Sequence, residues 1–155
     1  PGLNAFLWAT SYTNAKGVFR KCMMAYALIH TLVYSALLLY GAFAPVRFLV
    51  SFDFFVLASA PTVLFLLLLH GAAVVKHHDV LNLTLLKGWM LFMCVGFAYG
   101  LYLYLGLTQP LWAKGIWFTE NDVLHLGMTG WVYYLFKNLP VALKDSVLKA
   151  NRGFG

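Results

Sequence analysis

Two histidines lie inside long apolar stretches of the sequence, where an ionisable side chain is costly. His30 belongs to residues 22–44 and His70 to residues 54–75, and neither stretch contains Asp, Glu, Lys or Arg. If the two stretches form neighbouring antiparallel helices, both imidazoles lie at a similar depth, since both are near the same end of the pair. Two facing histidines can ligate a haem iron, and a single one can hold the magnesium of a chlorophyll-type pigment.

His30 and His70 are therefore candidate cofactor-binding residues, with haem b or a chlorophyll-type pigment as the candidate cofactor. A structural role is the alternative, because a membrane-buried His can simply bond a backbone carbonyl or a Tyr of a neighbouring helix. Two stacked haems would need more such histidines, whereas His77 and His78 lie in a polar loop. We interpret His77-His78-Asp79 in the same way, as a loop and not as a metal site.

A second candidate site lies at the start of the last apolar stretch. Asn121, Asp122 and His125 are spaced three and four residues apart, so they share one face of a helix. An Asp–His pair that faces a bundle interior can bind a divalent metal, relay protons or act as a general base on a lipid carbonyl. We predict Asp122 and His125 as metal ligands, and we expect His125→Ala to be more damaging than His77→Ala.

The same residues also have a structural interpretation. Thr119 followed three residues later by Asp122, just before an apolar run, is the capping-box pattern of a helix start. His125 can then simply bond across to Asp53, which enters its own apolar stretch from the same side of the membrane. Nothing else in the chain matches a catalytic motif: there is no Gly-rich phosphate loop, no GxSxG and no HExxH.

Four apolar stretches are the elements that must position these residues. At a rise of about 1.5 Å per residue, each can cross the roughly 30 Å hydrocarbon core of a bilayer. Hydrophobic residues make up 62% of the chain and charged residues only 10%, which excludes an ordinary soluble domain. We predict an all-α integral membrane protein, a single domain with four transmembrane helices in an up-down-up-down bundle. The predicted spans are about residues 22–44, 54–75, 88–107 and 120–143.

The flanking segments differ in character. Residues 1–21 mix aromatic and basic side chains, which favours a segment lying at the headgroup level, although a loosely ordered tail has the same composition. Residues 144–155 form a basic tail. Within the third span, Gly96 and Gly100 have the small-xxx-small spacing that lets another helix approach closely.

Basic residues indicate the orientation in the membrane. With four spans, nine of the eleven Lys and Arg residues fall on the side of both termini. The positive-inside rule then places both termini in the cytoplasm, or in the matrix or stroma of an organelle. The basic residues are too scattered to track a nucleic-acid backbone, despite the net charge of +6. Cys22 and Cys94 fall inside spans, which favours neither a disulfide framework nor a thiolate metal site.

These observations favour a non-catalytic role. The loops are short and the intramembrane charges few, so we expect an accessory or scaffolding subunit of a larger membrane complex, respiratory or photosynthetic. Its partners would be the lipid bilayer and other membrane subunits. The alternative is a His-based membrane enzyme, or a redox protein that binds haem, pigment or metal. A transporter ranks last, because Pro61 with Ser59 is the only candidate for a broken helix.

Overall fold

A computed structural model of the chain describes residues 2–44 and 46–152, with side chains only as far as residue 146. These residues form α-helices and one 3₁₀ turn, without any strand. The 3₁₀ turn is Arg47–Val50. The helices are α1 (Gly2–Asn14), α2 (Gly17–Phe43), α3 (Phe52–His77), α4 (Val80–Tyr104), α5 (Thr108–Trp112) and α6 (Glu120–Arg152).

Three helices of the described chain, α2, α3 and α4, are long and apolar enough to cross a membrane. They have 27, 26 and 25 residues, so at about 1.5 Å per residue each exceeds the roughly 30 Å hydrocarbon core. The prediction of an all-helical fold is confirmed for the described residues, and three of the predicted spans fall on helices that are long and apolar enough to cross a membrane. α6 covers residues 120–143 as one helix of 33 residues, but it is not among the three.

The chain divides into two compact units, residues 1–78 and 79–155. In the first unit, α1 packs against both α2 and α3, and the 3₁₀ turn packs against the same two helices. Gly17, at a φ of +57°, starts α2 directly after the short connection from α1. Since Asn4 at the start of α1 bonds His30 in the middle of α2, the two helices run antiparallel.

α1 is a helix that packs on its neighbours, and whether it also lies at the headgroup level stays a prediction. The buried residues Asn4, Leu7 and Ser11 recur every three or four positions and form one face, which Thr10 extends. Most of this face is polar, while Phe6, Trp8 and Tyr12 on the other side are exposed. Because the hydrophilic side of α1 is buried, the average hydropathy of residues 1–21 does not reveal that α1 packs against α2 and α3.

The second unit is built on the packing of α4 against α6. Gly127 of α6 meets Val95 of α4, and a Cβ at Gly127 would lie 2.6 Å from the Val95 Cγ1. Around this contact, the Trp131 indole N–H donates to the Gly88 carbonyl at 2.9 Å, and the Tyr134 hydroxyl donates to the Thr84 carbonyl at 3.1 Å. α4 also includes residues 80–87, which precede the predicted third span.

The packing of α4 against α6 does not use the glycine pair of the predicted third span. A Cβ at Gly96 or Gly100 would have no heavy atom within 4 Å, and both residues are exposed. The close approach occurs instead at Gly127 of α6 and at Gly88, where a Cβ would lie 3.1 Å from Leu135.

Candidate functional site

The polar residues of the first unit meet around Asn4. Its side-chain amide nitrogen donates to the Thr31 hydroxyl at 2.8 Å and lies 2.9 Å from the His30 Nδ1. Its side-chain oxygen accepts from the Thr62 hydroxyl at 2.9 Å. The Tyr26 hydroxyl lies 3.4 Å from the same Thr62 oxygen. One carboxamide of α1 thus joins α2 to α3, and we call these five residues the Asn4 network.

The Asn4 network fixes the tautomer of His30. Thr31 gives its only hydroxyl proton to the Ala27 carbonyl at 2.8 Å, so it must accept the hydrogen bond that it shares with Asn4. The amide nitrogen of Asn4 therefore faces Thr31, and His30 Nδ1 is an acceptor beside it. In a neutral imidazole with an accepting Nδ1, the proton is on Nε2.

Aromatic rings enclose the His30 imidazole. It stacks on Tyr26, with ring centroids 5.3 Å apart, and on Tyr34 at 6.1 Å. Tyr34 in turn stacks on Phe54 of α3 at 5.6 Å. Tyr26, His30 and Tyr34 recur every four positions along α2, which is the spacing that places side chains one above another on a helix. His30 is thus part of an aromatic ladder between α2 and α3.

His70 is bonded at a different level of the same unit. Its side chain is 2% exposed, and its Nε2 lies 3.3 Å from the Thr10 hydroxyl of α1. A hydroxyl can either donate or accept, so this contact is compatible with either tautomer of His70. Beside Thr10, the hydroxyl of Ser11 is fully buried without a hydrogen-bond partner.

The two histidines of the predicted cofactor site are therefore each joined to α1. Asn4 and Thr10 are separated by about 9 Å along α1, at 1.5 Å per residue. The arrangement does not fit axial ligation by His30. A metal binds a nitrogen that has no proton, whereas the His30 Nε2 carries the proton and its Nδ1 accepts a hydrogen bond from Asn4. For His70 the assignment stays a prediction. The structural alternative matches the contacts that both imidazoles make.

Asp122 caps the start of α6, as the sequence pattern predicts. Its carboxylate accepts from the Thr119 hydroxyl at 2.8 Å and from the Thr119 backbone N–H at 2.7 Å. These two hydrogen bonds lower the pKa of the Asp122 carboxyl; burial opposes them, and the nearby His125 imidazole adds the smallest lowering effect. The neighbouring Glu120 carboxylate accepts from Thr108 at 3.0 Å, which ties α5 to the same helix start.

His125 does not pack against α4 within its own unit, and whether it faces the interior of a four-helix bundle stays a prediction. Its side chain is exposed, while the residues of α6 that contact α4 include Gly127, Trp131 and Tyr134. At about 100° per residue, His125 projects from the side of α6 away from α4. Whether Asp53 lies near His125 stays a prediction, because the two residues belong to different units.

Metal binding by Asp122 and His125 would need further ligands. Among the described residues, no group of three or more His, Cys, Asp or Glu side chains is placed to hold a metal ion. Two protein ligands alone fall short of the three or four that zinc sites use. The assignment of a divalent metal to this pair stays a prediction.

Sequence reasoning missed the residue at the centre of the site. The composition of residues 1–21 predicts an interfacial segment for Asn4 and Thr10, and Thr31 and Thr62 are single polar residues within apolar spans. A signal was available, because the polar residues Asn4, Ser11 and Asn14 recur at helical spacing before the first span. That spacing predicts a polar helix face, which in a membrane must meet other polar groups.

Comparison of the chain with protein-family models, with curated proteins and with solved structures finds no match in any of the three.

Proposed function

We propose that this protein is a small multipass membrane protein that acts as an accessory or scaffolding subunit of a larger membrane complex, respiratory or photosynthetic. One observation supports this above the others: the polar side chains of the Asn4 network bond the protein's own helices, while the apolar faces remain open. Only 11% of the most apolar part of α2, and 28% of those of α3 and α4, is buried within the chain. The remainder is available to lipid and to other subunits.

We further propose that α6 is a fourth span, at about residues 120–143, and that the four spans cross alternately up and down. Both termini then lie on one side, the cytoplasm, matrix or stroma, together with nine of the eleven basic residues. Trp112 and Trp117, whose rings lie 5.3 Å apart, would anchor the connection before α6 at the opposite surface. Single cysteines near each terminus and at Lys114 test this: impermeant maleimide should label both termini from one side and Lys114→Cys from the other.

The open glycine pair of α4 is the surface that we assign to a neighbouring subunit. Gly96 and Gly100 are exposed, and small residues at this spacing let another helix approach closely in a membrane. Within the described chain nothing lies within 4 Å of a Cβ at either position, so larger side chains there leave the protein's own packing intact.

Native electrophoresis of membranes dissolved in a mild detergent tests the proposal. We expect the chain to migrate in a particle far larger than its own 17.4 kDa, and the double variant Gly96→Leu/Gly100→Leu to migrate alone. The matched control is Gly130→Leu, which also has open space at its Cβ but lies on α6. Migration of the wild-type chain alone would contradict a role in a complex.

The alternative function is a His-based membrane enzyme or a redox protein that binds haem, pigment or metal. The observation that favours it is the proximity of the exposed His125 to the Asp122 carboxylate, whose pKa it helps to lower. A partner subunit would have to complete such a site. A Soret band or a stoichiometric metal in the purified protein would favour this alternative over the accessory role.

A further inference from the structure

The second half of α6 has an apolar groove on its surface. The groove has a volume of about 360 Å³ and extends over residues 132–143, which is about 16 Å of helix at 1.5 Å per residue. That length corresponds to roughly one leaflet of a 30 Å hydrocarbon core. The groove is lined by Val132, Leu135, Phe136, Leu139, Pro140 and Leu143.

This groove opens on the side of α6 away from α4, although its lining residue Leu135 also lies against Gly88 of α4. Trp131 and Tyr134, on the other side of the helix, donate hydrogen bonds to backbone carbonyls of α4. The groove residues Val132 and Phe136 are 55% and 79% exposed. An apolar surface of this kind on a membrane protein requires an apolar occupant.

Two lysines border the groove along its length. Lys137 and Lys144 are separated by seven residues, with Pro140 between them, so they lie along one edge of the groove on the helix surface. Both side chains are exposed, and no described hydrogen bond or ion pair engages either of them. Asp145 is the acid nearest in sequence, but one residue turns a helix by about 100°, so it projects away from that edge.

We propose that the groove and its two lysines form a binding site for one anionic phospholipid. An acyl chain lies along the groove, and Lys137 and Lys144 bind the phosphate of the headgroup. Charge complementarity selects this occupant, because one lipid supplies both an apolar chain and a negative charge at one end. The site depends on the proposed placement of α6 in the bilayer.

Titration of the purified full chain with phosphatidylglycerol or phosphatidylcholine, followed by native mass spectrometry, tests the site. We expect one tightly bound phosphatidylglycerol and weaker binding of phosphatidylcholine. The variant Lys137→Gln/Lys144→Gln should weaken phosphatidylglycerol binding about 30-fold, at about 1 kcal/mol for each lysine. The matched control is Lys76→Gln/Lys87→Gln, which removes two lysines elsewhere and should leave the affinity unchanged.

Phe136→Ser, which makes the groove polar, should weaken both lipids equally. Equal affinity for the two lipids in the wild type would overturn the proposal, as would equal losses in the two lysine variants. Concentration-dependent dimers that Phe136→Ser abolishes would overturn it in favour of a second copy in the groove. The variant Phe136→Cys distinguishes an error in the placement of α6 from an error in the lipid site. If impermeant maleimide labels this cysteine in vesicles, the placement of α6 in the bilayer is contradicted. If the cysteine is not labelled and the wild type has no lipid preference, only the lipid site is contradicted.

Discussion

The two units of the chain hold their helices together with different interactions. In the first, the carboxamide of Asn4 joins α2 and α3 through side-chain hydrogen bonds. In the second, α4 and α6 approach through Gly127 and Gly88, and aromatic side chains reach across to backbone carbonyls. One unit is thus held by a polar network and the other by close contact of small residues.

Both kinds of interaction suit helices that are surrounded by lipid. Lipid is as apolar as the helices, so burial of apolar surface does not drive their association, and close packing or polar bonds must hold them together. Each polar side chain of the Asn4 network contacts polar atoms of its neighbours, so these atoms are not available for catalysis or ligand binding. The comparison therefore predicts that steric changes damage the second unit and polar changes damage the first.

The largest effect is expected at the closest helix contact. Gly127→Leu would place a side chain 2.6 Å from Val95, and α6 would have to move away from α4. We expect a loss of about 3 kcal/mol in the free energy of unfolding, measured by denaturant titration in detergent micelles. Gly130→Leu, with open space at its Cβ, is the control and should change the stability by less than about 0.5 kcal/mol.

A polar change in the first unit should cost somewhat less. Asn4→Leu leaves Thr62 without its acceptor and Thr31 and His30 without their donor, which we expect to cost about 2 kcal/mol in the same assay. Ala5→Leu makes a similar change in volume at an exposed position of α1 and should have little effect. Equal stability of the two variants would contradict the role of the Asn4 network.

Histidine substitutions compare buried and exposed positions. His70→Ala removes a side chain that is 2% exposed, and we expect it to cost about 2 kcal/mol. His125→Ala and His77→Ala each remove an exposed side chain and should stay within about 0.5 kcal/mol of the wild type. The sequence alone ranked His125 above His77, and a clear excess for His125→Ala in thermal unfolding would restore that ranking.

The smallest effect concerns pH at the start of α6. Hydrogen bonds from Thr119 lower the pKa of Asp122 in the folded chain below its unfolded value, which is near 4. Its contribution to stability is therefore complete above about pH 4 and is lost as the pH falls through the lower, folded pKa. In Asp122→Asn, the free energy of unfolding should fall less steeply at acid pH than in the wild type. Its dependence on pH between about pH 5 and 8 should be unchanged.

The sequence predicts the helical membrane fold because a long apolar run without charge is suited to lipid, where a helix satisfies all of its backbone hydrogen bonds internally. It predicts the cap at Asp122 for a similar reason, since the pattern is local. It does not predict that Asn4 packs within its unit, because α1 has its polar side inside and hydropathy records only the average. It also selects Gly96 and Gly100 over Gly127, since spacing alone does not specify which glycines another helix approaches.

The tautomer of His30 tests most directly whether the intramembrane histidines hold helices together. Nitrogen-15 NMR of the labelled protein in a bilayer distinguishes a protonated from an unprotonated imidazole nitrogen. We predict an unprotonated Nδ1 that accepts from Asn4 and a protonated Nε2, with a clear change in the Nδ1 resonance in Asn4→Ala. A protonated Nδ1 that is insensitive to Asn4→Ala would contradict the account and return His30 to the list of candidate ligands.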